Sequence, residues 1–175
     1  MNYKLRRPDF RNGDIIFFAG GEKTWVRRLI SWFTGRHYHV GIAFWGTIVD
    51  TEPRLLIAEA LPSGFRIVNL GFYKDRDMVV FRCPNPATWS QIADTVLDST
   101  GVVPYDFLDL TLVGMHERFG TPIPRRVTGK GEICSVIVSK ILQNVGVRGI
   151  GTMVSPQRLL EQLSKRRDPA FTIEA

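Results

Sequence analysis

Between Asp14 and Arg82 the chain repeatedly lays down a short apolar run and breaks it with a turn residue; after Pro84 and Pro86 it stops doing so. That change of habit restricts the fold more than any other feature. Ile15 to Ala19 reads as a first strand, entered through the Gly13-Asp14 turn. Further strands are expected at His39 to Trp45, Thr47 to Thr51, Leu55 to Ala60, Phe65 to Asn69 and Met78 to Arg82. Gly46, Pro53, Pro62-Ser63-Gly64 and Asp75 punctuate them. Short strands on short turns build an antiparallel meander. One amphipathic helix interrupts the series, Trp25 to Phe33, apolar at Trp25, Leu29, Ile30, Trp32 and Phe33.

Past the prolines the periodicity becomes helical. Ala87 to Ser99 is closed by Gly101, Tyr105 to Val113 follows, and Gly129-Lys130-Gly131 leads into Ile133 to Gln143, closed by Asn144 and Gly146. A last helix is capped by Ser155, takes Pro156 in its first position and buries Leu159, Leu160 and Leu163. Strands early and helices late predict an α+β domain, an antiparallel sheet of about five to six strands with helices packed on it. The chain has 175 residues, 44% of them hydrophobic, with no linker-like stretch and no repeat, so one domain over 1–175 is expected.

Charge and termini exclude several classes. The net charge of +6 is spread as pairs, Arg6-Arg7, Arg27-Arg28, Arg125-Arg126 and Lys165-Arg166-Arg167. A nucleic-acid reader would gather them on one element with aromatics between, so specific nucleic-acid binding is not expected. The surplus still favours anionic surroundings such as cell-wall polymer, phospholipid or nucleic acid. Ile15 to Ala19 is too short for a signal core or a membrane span, which predicts synthesis in the cytoplasm without a signal peptide. Export or incorporation in a virion would then need other machinery. Cys83 and Cys134 make no disulfide framework.

Three residues stand out as candidates for chemistry. Cys134 opens its helix, with Ile137, Val138, Ile141, Leu142 and Val145 continuing the stripe that it begins. A thiolate there is steadied by unpaired backbone N–H groups and the positive end of the helix dipole. His39, Gly41 and Ala43 alternate onto one strand face, and the smallness of that face invites close approach of a helix. Glu59 shares a face with Leu55 and Ile57; a covered carboxylate needs a partner, and His39 is the nearest candidate. Nucleophile, base and orienting carboxylate would then meet. Each residue alone has a plainer reading: a small buried hydrophobe for the cysteine, an ordinary strand histidine, a solvated edge glutamate.

Gly13-Asp14-Ile15-Ile16-Phe17, His39-Val40-Gly41-Ile42, Glu59-Ala60 followed by Gly64, Pro104-Tyr105-Asp106 and Cys134-Ser135 occur in this order. Together they resemble the circularly permuted NlpC-type branch of the papain-like superfamily, nearest its YiiX-like group, with the lecithin retinol acyltransferase family more distant. The resemblance implies a cysteine hydrolase with Cys134 as nucleophile, His39 as base and Glu59 as third member. It also sets Tyr105 beside the site, and Tyr38 stands where the family often has a serine; both are assigned to substrate contact. Amide cleavage in cell-wall peptides is the expected reaction. Lipid acyl transfer on the same fold, or a non-catalytic shell for binding or assembly such as a phage-particle component, are the alternatives. No cofactor is expected. His37 and His39 share a strand face by simple alternation and could pinch a cation, but no further Cys or His has ligand spacing, so no metal is expected. His116 reads as solvated, Cys83 as a strand-end residue, and Thr128-Gly129-Lys130-Gly131 lacks the spacing of a phosphate loop.

Overall fold

The computed structural model describes residues 3–19, 36–46, 52–61, 64–82, 134–144, 146–151, 154–166 and 168–174. The helices expected at 25–33, 87–99 and 105–113 and the strand expected at 47–51 lie outside them, as do Cys83, Tyr105 and His116.

Ile15, Ile16, Phe17 and Phe18 are apolar on both faces of their strand, and such a run is stable only where both faces and both edges are covered. This strand, β1 (Asp14–Ala19), is buried throughout. It lies inside a sheet of six antiparallel strands among the described residues. The others are β2 (His37–Gly46), β3 (Arg54–Leu61), β4 (Gly64–Asn69), β5 (Asp77–Phe81) and β6 (Phe171–Ile173), in the order β4-β3-β2-β1-β5-β6. The first four run as the expected meander. β5 departs from it: instead of adding beyond β4 it returns to the free edge of β1, pairing Ile16 with Val80 and Phe18 with Met78. The returning segment carries a 3-10 turn, Leu70–Tyr73, against the face that bears Ile16, Phe18 and Ile57. β6, three residues long, was not expected; it borders β5 through Met78–Ile173 and Val80–Phe171.

Each face has its own core. On one, Ile15, Phe17, Val40, Ile42, Ala58 and Ala60 pack with helix α2 (Cys134–Asn144) and helix α3 (Pro156–Ser164). α2 buries Cys134, Ile137, Val138, Ile141 and Leu142, the stripe read from the sequence. α3 is capped as expected: the Ser155 hydroxyl accepts from Arg158 N at 3.2 Å, and Pro156 fills the first turn. The other face is closed by the returning segment, by Phe171 and by the N-terminal helix α1 (Tyr3–Arg6) with Phe10 after it. The Phe10 and Phe171 rings meet edge to face at 4.9 Å.

β2 departs from expectation at two points. α2 does not dock on the small His39–Gly41–Ala43 face. It docks on the Val40–Ile42 face, where branched side chains offer more apolar area to bury. The space left by Gly41 is filled from within the sheet: a Cβ there would stand 2.6 Å from Ile57 Cδ1 and 2.9 Å from the Ala58 carbonyl oxygen. His37 and His39 do not act as one pair either. Phe18 pairs with His39 but Ala19 pairs with His37, so Tyr38 is an extra, bulged residue that breaks the alternation. His37 instead turns to α3, its Nδ1 2.9 Å from Gln157 Oε1.

Candidate active site

The ladder between β2 and β3 runs from Gly46–Arg54 to Ile42–Ala58 and goes no further. His39 and Val40 of β2 and Glu59 to Leu61 of β3 lie past its end, where the two strands are no longer paired with each other. The expected site residues come together here. His39 Nε2 is 2.7 Å from Glu59 Oε2, with 5% of the histidine and 2% of the glutamate exposed. Two aromatic rings stack near the imidazole. The Phe18 ring stacks on it at 5.6 Å and the Tyr38 ring at 6.4 Å, each tilted by 24°. The bulge at Tyr38 makes this possible, because adjacent residues of a regular strand point to opposite sides. The carboxylate takes Nε2, so Nδ1 is the ring nitrogen not bound to Glu59.

Cys134 is the first residue of α2 and is 1% exposed. With Val40, Ala58, Glu59, Ala60, Phe65 and Ile137 it lines a narrow apolar crevice at the ladder's end. Although Cys134 belongs to the helix-covered face and His39 stacks on a ring of the other, the two groups interact electrostatically at this gap. Burial by itself would lower the affinity of His39 for a proton. A hydrogen bond and charge at Cys134, followed by the hydrogen bond and charge of Glu59, outweigh burial and raise the imidazole from 6.5 to about 9. Glu59 moves the other way. Burial would raise it, but His39, Tyr73 and Arg66 together hold the carboxyl below its ordinary value. The first-turn N–H groups of α2, beside the sulfur in sequence, have no partners within the helix.

Two members of the cluster were not anticipated from the sequence. Arg66 Nε donates to Glu59 Oε1 at 2.9 Å, and the Tyr73 hydroxyl is 2.8 Å from both Glu59 oxygens. Arg66 Nη2 reaches the Tyr73 oxygen at 3.3 Å. Arg66 follows from the register of β3 with β4, in which Leu61 stands opposite Gly64 and Glu59 opposite Arg66. Tyr73 had no sequence signal, since it arrives on the segment that returns under the sheet. Of the two tyrosines assigned to substrate contact, Tyr38 stacks beside the imidazole, and Tyr105 lies outside the described residues. Among the described residues no group of three or more His, Cys, Asp or Glu is arranged to hold a metal ion. No helix among them is long and apolar enough to cross a membrane.

Fold and site together define an α+β protein with a buried cysteine–histidine–carboxylate cluster at the end of a strand ladder. No protein-family model matches the chain, and no curated protein matches it in sequence.

Proposed function

We propose that this protein is a thiol hydrolase of the circularly permuted papain-like type, working through a Cys134 acyl-enzyme. The observation that carries the reading is geometric: His39 Nε2 stands 2.7 Å from the buried Glu59 carboxylate, and Cys134, the first residue of α2, lines the same crevice as Glu59. A thiolate–imidazolium pair is the resting form of a nucleophile and its acid in acyl transfer. The order of the residues along the chain, histidine strand first and cysteine helix last, supports the permuted assignment.

In the reaction, the Cys134 sulfur attacks the substrate carbonyl carbon and forms an S–C bond. The carbonyl π pair moves onto oxygen, which the first-turn N–H groups of α2 receive. As the tetrahedral species collapses the C–N bond breaks, and His39 gives its proton to the departing amine. The neutral imidazole then takes a proton from water, whose oxygen attacks the thioester. The C–S bond breaks, the carboxylic acid leaves and the thiolate–imidazolium pair is restored. Glu59 keeps its hydrogen bond to Nε2 throughout and offsets the charge on the ring.

Cell-wall peptides are the proposed substrate class, since the net charge of +6 draws the protein to an anionic polymer. The test is incubation with muropeptides and, separately, with phospholipid vesicles, each against Cys134→Ala, with mass spectrometry of products and of the protein. Amide cleavage, an acyl adduct on Cys134 and loss of both in the variant are expected. Product from phospholipid alone would replace the substrate class. No adduct and no cysteine-dependent product with either would favour a binding or assembly role.

A further inference from the structure

Glu59 has more partners than orienting a histidine requires. Its side chain is fully buried, and its two oxygens receive His39 Nε2 at 2.7 Å, Arg66 Nε at 2.9 Å and the Tyr73 hydroxyl at 2.8 Å to each. A carboxylate buried beside an imidazolium is a place where the proton can cross, leaving two neutral groups; a low-dielectric site favours that exchange unless the anion is stabilised by other donors. Arg66 and Tyr73 supply those donors from elements that carry none of the reacting atoms, β4 and the segment returning under the sheet.

Resting on the hydrolase reading above, we propose that Tyr73 and Arg66 are positioning residues: they hold Glu59 as an anion in one orientation, so that it steadies the His39 imidazolium without taking its proton. The hydroxyl is the inner clamp. It bridges both oxygens and stops the carboxylate from rotating. Burial and the Glu59 charge push Tyr73 to about 12, so it remains a donor at every pH at which the protein would work. Arg66 is the outer clamp, with 45% of its side chain exposed, and it orients the hydroxyl as well as the carboxylate. Among the described residues, the titratable groups facing this cluster are His39 and Tyr38 from β2, Cys134 from α2, Arg66 from β4 and Tyr73 from the returning segment; from β1 the Phe18 ring lies 4.5 Å from that of Tyr73. Because Arg66 is half in water, salt weakens its hold, whereas the Tyr73 bond is insulated from salt.

The inference is tested by carbon-13 NMR titration of the Glu59 carboxyl, assigned with Glu59→Gln, in the parent, Tyr73→Phe, Arg66→Gln and Arg66→Lys. The parent resonance titrates below the ordinary 4.5. Tyr73→Phe and Arg66→Gln move its midpoint upward, the shift in Tyr73→Phe grows with added salt, and Arg66→Lys recovers part of the loss. Variants that fold, melt lower and leave the Glu59 midpoint unmoved would show a structural role only and overturn the inference. Thiolate absorbance measured on the same samples separates the two levels. Its absence from the parent contradicts the hydrolase reading, while its presence with unmoved Glu59 midpoints contradicts the positioning role alone.

Discussion

His39 is where chemistry and environment are most tightly joined. Its imidazole stacks near the rings of Phe18 and Tyr38, is tied to Glu59 and is influenced by Cys134. In the proposed reaction His39→Ala removes both proton transfers, and a loss of roughly 10²–10⁴-fold in turnover is expected. Measuring cysteine-dependent product release checks it, and near-parent turnover would exclude His39 from the reaction. Glu59→Gln keeps the shape of the contact and removes the charge. The His39 midpoint, read by NMR, should fall from about 9 toward 6.5. At this scale the sequence was informative for Cys134, His39 and Glu59, since each sits where periodicity gives a position: a helix start, a strand start, a covered strand face. It was silent about Tyr73, because no local pattern says that a residue fourteen positions beyond Glu59 will come back under it.

Among the elements, the strands from β1 to β5 and helices α2 and α3 fall within a residue or two of the runs read from periodicity. What alternation misjudged was the side on which α2 packs. Alternation from His39 to Ala43 holds against β1, but the helix takes the Val40–Ile42 side, where there is more apolar area to bury; the extra residue at Tyr38 breaks the alternation only for His37. Gly41 is the point where this arrangement is most sensitive. Gly41→Ala sets a methyl against Ile57 and against the backbone oxygen of Ala58, which cannot move without displacing β3. A loss of about 1–3 kcal/mol is expected from such overpacking. Denaturant melts of the two proteins measure it; an unchanged midpoint would mean that β2 and β3 lie farther apart than described. Ser155→Ala, which removes the α3 cap, should cost about 1 kcal/mol by the same assay.

Over the whole molecule, folding ties the protonation of the site to stability. The His39 midpoint rises from 6.5 in the unfolded chain to about 9 in the folded one, so its contribution is complete below 6.5 and disappears as pH climbs through about 9. The Glu59 midpoint is lowered, so its contribution is present above 4.5 and is lost as pH falls through the depressed value. Thermal melts across the alkaline interval should therefore decline more steeply for the parent than for His39→Gln, and parallel curves would contradict the linkage. The topology behind this was only half legible. A meander is written in consecutive short turns, but the return of β5 to β1 and the pairing of β6 with β5 join residues far apart in the chain. Those contacts are selected by the need of Ile15 to Phe18 for cover on every side, which composition signals and no motif locates.

The proposed chemistry requires Cys134 and His39 to exist as an ion pair, and the ultraviolet absorbance of the thiolate reads that directly. The spectrum of Cys134→Ser subtracted from that of the parent at neutral pH should leave the signal of one thiolate, and the same subtraction in a His39→Ala background should leave none. A parent difference spectrum that stays flat until the pH at which any free thiol ionises, unaltered by His39→Ala, would contradict it.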